Sequence, residues 1–316
     1  MMTAYLGIDV SKQTIDCYLS CDKGTFQTKQ SNNGKGFQQL QNWIDSHCDD
    51  QLCICMEATG AYWQKLANCL YANGHQVCVE NPAKIKYFSK AVMVRNKTDK
   101  QDAMVIANYC RMMNPRIWRP ESDNVLALRN IMRLLARLKR QRASELTKVI
   151  ETQESLRHII HANITHFDKQ IAETEKYLKQ FFKQNSDLNQ QKALIKTIPG
   201  VGDTTAAVML SVLLGSQQFE HAGQFVAYLG LNPQQHQSGT SVNGKTRISK
   251  IGKADLRTAL YMPAMVAYSK RLYPQFVDRM KARGKPTMVI ITALMRKLAV
   301  LAYTIHKKQT PYVKAH

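Results

Sequence analysis

Acidic residues are scarce in this 316-residue chain. Only 23 Asp and Glu stand against 44 Lys and Arg, a formal net charge of +21. An enzyme of small neutral metabolites has no use for that imbalance. It points to a polyanionic partner, nucleic acid first and an anionic membrane surface second. Long apolar runs are also missing. The longest, around Ala206–Leu214 and Met288–Tyr303, are broken by polar residues and fall short of the roughly 18–20 residues that span a bilayer. Met1–Leu6 lacks a basic leader region, so no signal peptide is expected. These absences predict a cytoplasmic, nucleoid-associated protein of a bacterial-type cell with no membrane partner. The eight cysteines contain no C-x2-C pair; Cys53-Ile-Cys55 is the nearest approach. Reduced core thiols are expected rather than a zinc site. A 44% apolar content excludes a disordered basic tail.

The basic excess is uneven. Residues 1–102 hold 11 basic and 10 acidic side chains, 103–190 hold 15 and 9, and 191–316 hold 18 and 4. The balanced front suits chemistry and the basic rear suits nucleic-acid contact. Three segments are expected, 1–120, 121–190 and 191–316. In the first, Ala4–Val10, Thr14–Ser20, Thr25–Gln30, Leu52–Met56 and Gln76–Glu80 read as strands. Gly36–Ser46, Ala61–Ala72, Pro82–Lys90 and Thr98–Met113 read as helices. The order β-β-β-α-β-α-β-α is that of an RNase H-like α/β domain. Ser122–Lys183 lacks Gly and Pro, and Val125, Leu128, Ile131, Leu135 and Leu138 repeat at helical spacing. That predicts one or two long helices, a hairpin or coiled coil. Arg129, Arg133, Arg137, Lys139, Arg140 and Arg142 lie between the apolar positions, either as a solvated face or as nucleic-acid contacts. The rest is mostly helical.

Asp9 ends the first strand and Glu57 ends the fourth. An unpaired carboxylate in an apolar strand is costly unless it binds a cation. Strands one and four are neighbours in an RNase H-like sheet, so the two converge. Asp99 and Asp102 are three apart on one helix face, behind Thr98 as a helix cap. Four carboxylates suit a pair of Mg²⁺ ions, which prefer oxygen ligands and act about 4 Å apart in phosphoryl transfer. Mn²⁺ is the natural substitute. Asp16 and Glu80 are held in reserve, Asp16 reading as solvent-facing.

In the third segment, Pro199-Gly200-Val201-Gly202 between two apolar helices predicts a helix-hairpin-helix-like phosphate contact through Gly200 and Gly202. The polar stretch Gly230–Lys253 carries Lys245, Arg247, Lys250 and Lys253 and no acidic residue. Hydroxyls among glycines and cations suit phosphate binding. A nucleophilic serine is conceivable there, but chemistry alone does not choose among Ser238, Thr240, Ser241 and Ser249.

Taken together, Gly-Ile-Asp9-Val-Ser-Lys, Met-Glu57-Ala-Thr-Gly, Lys97-Thr-Asp99-Lys-Gln-Asp102, Ile-Pro199-Gly-Val-Gly and Gly-Leu-Asn-Pro233 through Ser249-Lys-Ile-Gly252-Lys resemble one family along the whole chain. It is that of the DEDD transposases of the insertion-sequence 110 group, whose relatives include Piv-type site-specific DNA invertases. The resemblance implies a RuvC-like front domain with Asp9, Glu57, Asp99 and Asp102 as the metal-holding catalytic carboxylates. It implies a C-terminal transposase domain with a serine nucleophile, Ser238 by position and Ser241 second. Lys97, with the glycines and cations above, falls among the nucleic-acid contacts. It also implies donor and target DNA, a structured bridge RNA, and assembly as dimers or tetramers. The expected activity is RNA-guided transposition. The alternatives are inversion of a fixed segment and a RuvC-like junction resolvase that uses water.

Overall fold

The computed structural model describes residues 4–49, 51–93, 98–216, 219–235, 237–238, 242–243, 247–249, 251–252 and 254–314. The chain forms two compact units, Met1–Pro120 and Glu121–His316.

The first unit contains β1 (Ala4–Val10), β2 (Thr14–Cys21), β3 (Gly24–Ser31), α1 (Gly34–His47), β4 (Leu52–Glu57), α2 (Gln64–Ala72), β5 (Gln76–Glu80), α3 (Pro82–Ala91) and α4 (Asp99–Met113). The strands make one sheet in the order β3-β2-β1-β4-β5. β1, β2 and β3 are antiparallel neighbours; β4 runs parallel to β1, and β5 to β4. This is the RNase H-like arrangement that the element order predicts. Helices cover both faces, which is why β1 and β4 read as nearly continuous apolar runs. Leu6, Ile8, Ile15, Leu19, Ile54 and Met56 pack with Leu40 of α1 and Leu66 and Leu70 of α2. On the other face, Cys53, Cys55 and Cys78 pack with Val105, Ile106, Tyr109 and Cys110 of α4.

Gly7 decides how close α4 comes. A Cβ there would lie 2.1 Å from the Ala103 carbonyl oxygen and 2.3 Å from the Ala107 amide nitrogen. Only a glycine opposite two alanines lets the helix backbone rest on the strand. Thr98 caps α4 by accepting from the Gln101 amide at 3.3 Å, so the helix begins at Asp99.

The second unit contains α5 (Asp123–Glu151), α6 (Arg157–Gln184), α7 (Ser186–Lys196), α8 (Asp203–Leu213), α9 (Ala222–Tyr228), four two-residue strands, α10 (Ala254–Ser269), α11 (Pro274–Ala282) and α12 (Thr287–Lys308). α5 and α6 form an antiparallel hairpin joined by Lys139–Glu175 at 2.8 Å and by Arg142–Asp168. These pairs account for two of the six basic residues noted on α5. Arg129 pairs with buried Glu121. Arg133, Arg137 and Arg140 stay exposed along one stripe. Leu128, Ile131, Leu135, Phe181 and Phe182 share one core with α7 to α12.

α12 corrects one expectation. By length and composition its 22 residues suffice to cross a membrane. The sequence reading set the stretch aside because polar residues interrupt it. Arg296 and Lys297 sit mid-helix, while Leu294, Leu298, Ala299 and Ala302 are fully buried in the unit's own core. The apolar character is that of a central core helix.

Candidate active site

Strand register builds the front site. Residues two apart on a strand share a face, so Asp9 points the way Gly7 does, towards α4. Asp16 lies directly opposite Asp9, and Lys29 opposite Asp16. Ile8 pairs with Met56, which brings the next positions, Asp9 and Glu57, side by side. Glu57 in turn lies opposite Glu80. A single row therefore crosses all five strands: Lys29, Asp16, Asp9, Glu57, Glu80. The first turn of α4 adds Asp99 and Asp102 over its centre.

The ends of the row are neutralised. Lys29 Nζ is 2.9 Å from Asp16 and 3.7 Å from Asp99. Lys84 Nζ is 2.9 Å from Glu80 Oε2, and Glu80 also accepts from the Asn81 amide at 3.1 Å. The centre differs. Burial pushes the Asp9 carboxyl up to about 6, helped by the charges of Asp102, Glu57, Asp99 and Asp16. The charged groups among the described residues that raise it are all carboxylates. Glu57 is oriented by the Thr59 hydroxyl, which donates to Oε1 at 2.6 Å. A cluster of oxygen donors that repel one another, with Lys29 and Lys84 at its edges among the described residues, fits a hard divalent cation such as Mg²⁺ or Mn²⁺.

The structure thus brings Asp9, Glu57, Asp99 and Asp102 together. It corrects the reading of Asp16 as solvent-facing: this side chain is buried, 6% exposed. Its neighbours Ile15 and Cys17 face α1 and α2, so Asp16 takes the α4 face, where Lys29 compensates it. Glu80, also held in reserve, is buried and paired with Lys84. Sequence reasoning missed Gly7, Lys29 and Thr59. Gly7 carried a signal, a glycine inside an apolar strand. The pairing of Lys29 has none without the register.

In the second unit, Ile198-Pro199-Gly200-Val201 closes a tight turn. The Val201 amide donates to the Ile198 carbonyl at 3.0 Å, and Gly200 has φ +91°, the Pro-Gly pattern of a type II turn. Gly202 then precedes α8 as its N-cap. α7, turn and α8 form the expected helical hairpin. Asp203 sits in the first turn of α8 with Lys196 at 2.8 Å and Lys192 at 3.6 Å, so the positive end of α8 already faces a carboxylate.

The described residues of the polar stretch after Gly230 pair in two short ladders, a two-part β-ribbon. Pro233–Gln234 pairs with Arg247–Ile248, and Gln237–Ser238 pairs with Val242–Asn243. The Ser249 amide continues the ladder to the Asn232 carbonyl at 2.8 Å. Arg257 closes the base, donating to the carbonyls of Leu229 at 3.3 Å and Gly252 at 3.2 Å. Ser238 stands in the inner pair, its backbone opposite Val242. Arg247 lies exposed on the outer pair. Lys97, Ser241, Lys245, Lys250 and Lys253 lie outside the described residues.

Two family models match this chain: a DEDD transposase model over residues 6–157, and one described as "Transposase IS116/IS110/IS902 family" over residues 192–281. Over 99% of both chains, it is 36% identical to a pilin gene-inverting protein of Moraxella lacunata. The chain belongs to the IS110/IS902 transposase family. A pilin gene-inverting protein of Moraxella bovis is 35% identical over 99% of both chains. The transposase for insertion sequence IS1328 of Yersinia enterocolitica is 25% identical over 98% of both. Membership in the IS110/IS902 family makes this chain a DNA strand-transfer enzyme with metal-dependent chemistry.

Proposed function

We propose that the chain is a site-specific DNA recombinase that inverts a DNA segment, cutting and rejoining strands with the front carboxylates and the serine of the ribbon. The observation that carries inversion is the full-length likeness to two gene-inverting proteins at 36% and 35%, against 25% for the IS1328 transposase. This favours inversion over the RNA-guided transposition that motif resemblance alone suggests.

Asp9, Glu57, Asp99 and Asp102 would hold Mg²⁺. When bound, the metal supplies Lewis-acid polarisation of the scissile phosphate. Thr59 fixes the Glu57 carboxylate, and Gly7 fixes the approach of α4 and so of Asp99 and Asp102. In the metal-free site Asp9 keeps its proton below about pH 6, so protons compete with the cation and activity should fall on the acid side. Ser238 Oγ attacks phosphorus. Its O–P bond forms as one phosphodiester P–O bond breaks, freeing a deoxyribose hydroxyl. A hydroxyl of the recombining strand then reverses the step and releases Ser238. The serine ester conserves the bond, so rejoining needs no external energy source. Arg247 and the exposed Arg133, Arg137 and Arg140 supply sequence-independent phosphate contacts.

The test is a supercoiled plasmid carrying the gene's own flanking DNA, incubated with protein and Mg²⁺. Inverted junctions without excised circles support the proposal. Excised circles and new insertions would refute inversion in favour of transposition. A structured RNA from the flank, required for activity, would restore the guided reading. Ser238→Ala should abolish a denaturation-resistant protein–DNA adduct. Persistence of the adduct, with its loss in Ser241→Ala, would move the nucleophile to Ser241. Cleavage by Ser238→Ala without any adduct would favour a water-using resolvase.

A further inference from the structure

The core between the sheet and α4 holds an unusual group of thiols. Cys53 on β4, Cys78 on β5 and Cys110 on α4 converge from three elements. Cys53 Sγ is 3.3 Å from Cys110 Sγ and 3.8 Å from Cys78 Sγ. All three sulfurs lie within 4.8 Å of one another, and all three residues are buried. Cys55, two residues along β4 on the same face, belongs to the same core cluster. The other described cysteines, Cys17, Cys21, Cys48 and Cys69, belong to the opposite face of the sheet.

Apolar packing does not explain this spacing. The sulfurs instead meet at thiol–thiol hydrogen-bond distances, polar contacts that a bound cation can replace. A disulfide would join two sulfurs and leave the third without a role. A tetrahedral thiolate site uses all of them: with metal–sulfur bonds of about 2.3 Å, ligand sulfurs lie about 3.8 Å apart.

We propose that Cys53, Cys78 and Cys110 form a buried structural site for a soft divalent metal ion, Zn²⁺ by preference. Each thiol that ligates releases its proton, so the bound site is anionic. It is chemically distinct from the all-oxygen carboxylate row on the same face, which selects hard cations. Its role follows from its anchors. Cys110 lies eight residues, about 12 Å, along α4 from Asp102. The metal would rivet α4 to β4 and β5, and so hold the helix that carries Asp99 and Asp102. The sequence reading, core thiols without a C-x2-C pair, looked for ligands within one turn. Here they come from two strands and a distant helix.

The experiment uses untagged full-length protein from zinc-supplemented cells. Elemental analysis should find about one zinc per chain. Protein refolded with Co²⁺ should show an intense near-ultraviolet thiolate-to-cobalt band, which the oxygen-only carboxylate row does not give. Cys110→Ser and Cys78→Ser should lose that band, whereas Cys17→Ser should keep it. A strong chelator should lower the thermal midpoint, with recovery on Zn²⁺ but not on Mg²⁺. Zinc-free protein with no thiolate–cobalt band under reducing conditions would overturn the proposal, even if the cysteine variants fail to fold. A Cys53–Cys110 disulfide in the purified, metal-free protein would overturn it as well.

Discussion

Replacing Asp9 by Asn separates a cation site from a structural carboxylate. Without metal, burial first and then the repulsion of neighbouring carboxylates raise the Asp9 carboxyl from the ordinary 3.8 to about 6. At about 1.4 kcal/mol per tenfold change in proton affinity, the ceiling on that penalty is about 3 kcal/mol. Solvent reaches Asp9, and screening brings the expected figure to about 1 kcal/mol. The sign is fixed by which state holds the proton. The folded chain keeps it up to about pH 6, whereas the unfolded chain loses it near pH 4. Stability of the metal-free protein therefore falls as pH rises between those values. Asn cannot ionise and escapes the penalty. In chelator, calorimetry of the first unit's transition should show Asp9→Asn more stable than wild type at pH 8, by about 1 kcal/mol or roughly 4 °C. The two should converge below about pH 4. Mg²⁺ should reverse the order, because only the intact cluster gains binding energy; saturation at 100 times Kd contributes about 2.7 kcal/mol. Asp9→Asn less stable than wild type at every pH in chelator would refute the argument, since Asp9 would then make favourable structural contacts.

Gly7→Ala places a Cβ 2.1 Å from the Ala103 carbonyl oxygen. The retreat of α4 should destabilise the first unit by about 1–3 kcal/mol, and a shift of Asp99 and Asp102 by about 1 Å should cut strand cleavage about 100-fold, as thermal melts and a nicking assay would show. Glu121→Ala strips half-buried Arg129 and the Ser216 amide of their acceptor, and should cost the second unit about 2 kcal/mol in urea unfolding. Tyr303→Phe removes the hydroxyl that donates to the Phe219 carbonyl at 3.1 Å in the core; about 1 kcal/mol should be lost in the same measurement.

Much of the front unit was legible in local pattern. Strand and helix periods, the Thr98 cap and the placement of Asp9, Glu57, Asp99 and Asp102 all follow from neighbours within a few residues. Asp16 was misjudged because alternation gives the face of a strand relative to itself, not whether a helix covers that face. The strands around Ser238 are two residues long, too short for any period to show in the sequence.

By itself the sequence determined the elements, the division of charge and the residue types able to do the chemistry, since these depend on composition and short-range spacing. Only the tertiary structure decided which groups meet. Register set the carboxylates in one row with lysines at its ends, because pairing between strands fixes lateral neighbours that no single strand encodes. The packing of α4, set by one missing Cβ at Gly7, closed that row into a site. The same helix brought three cysteines, the farthest 57 residues apart, into one cluster. Such convergence depends on how surfaces pack across the fold, and local sequence carries no record of it.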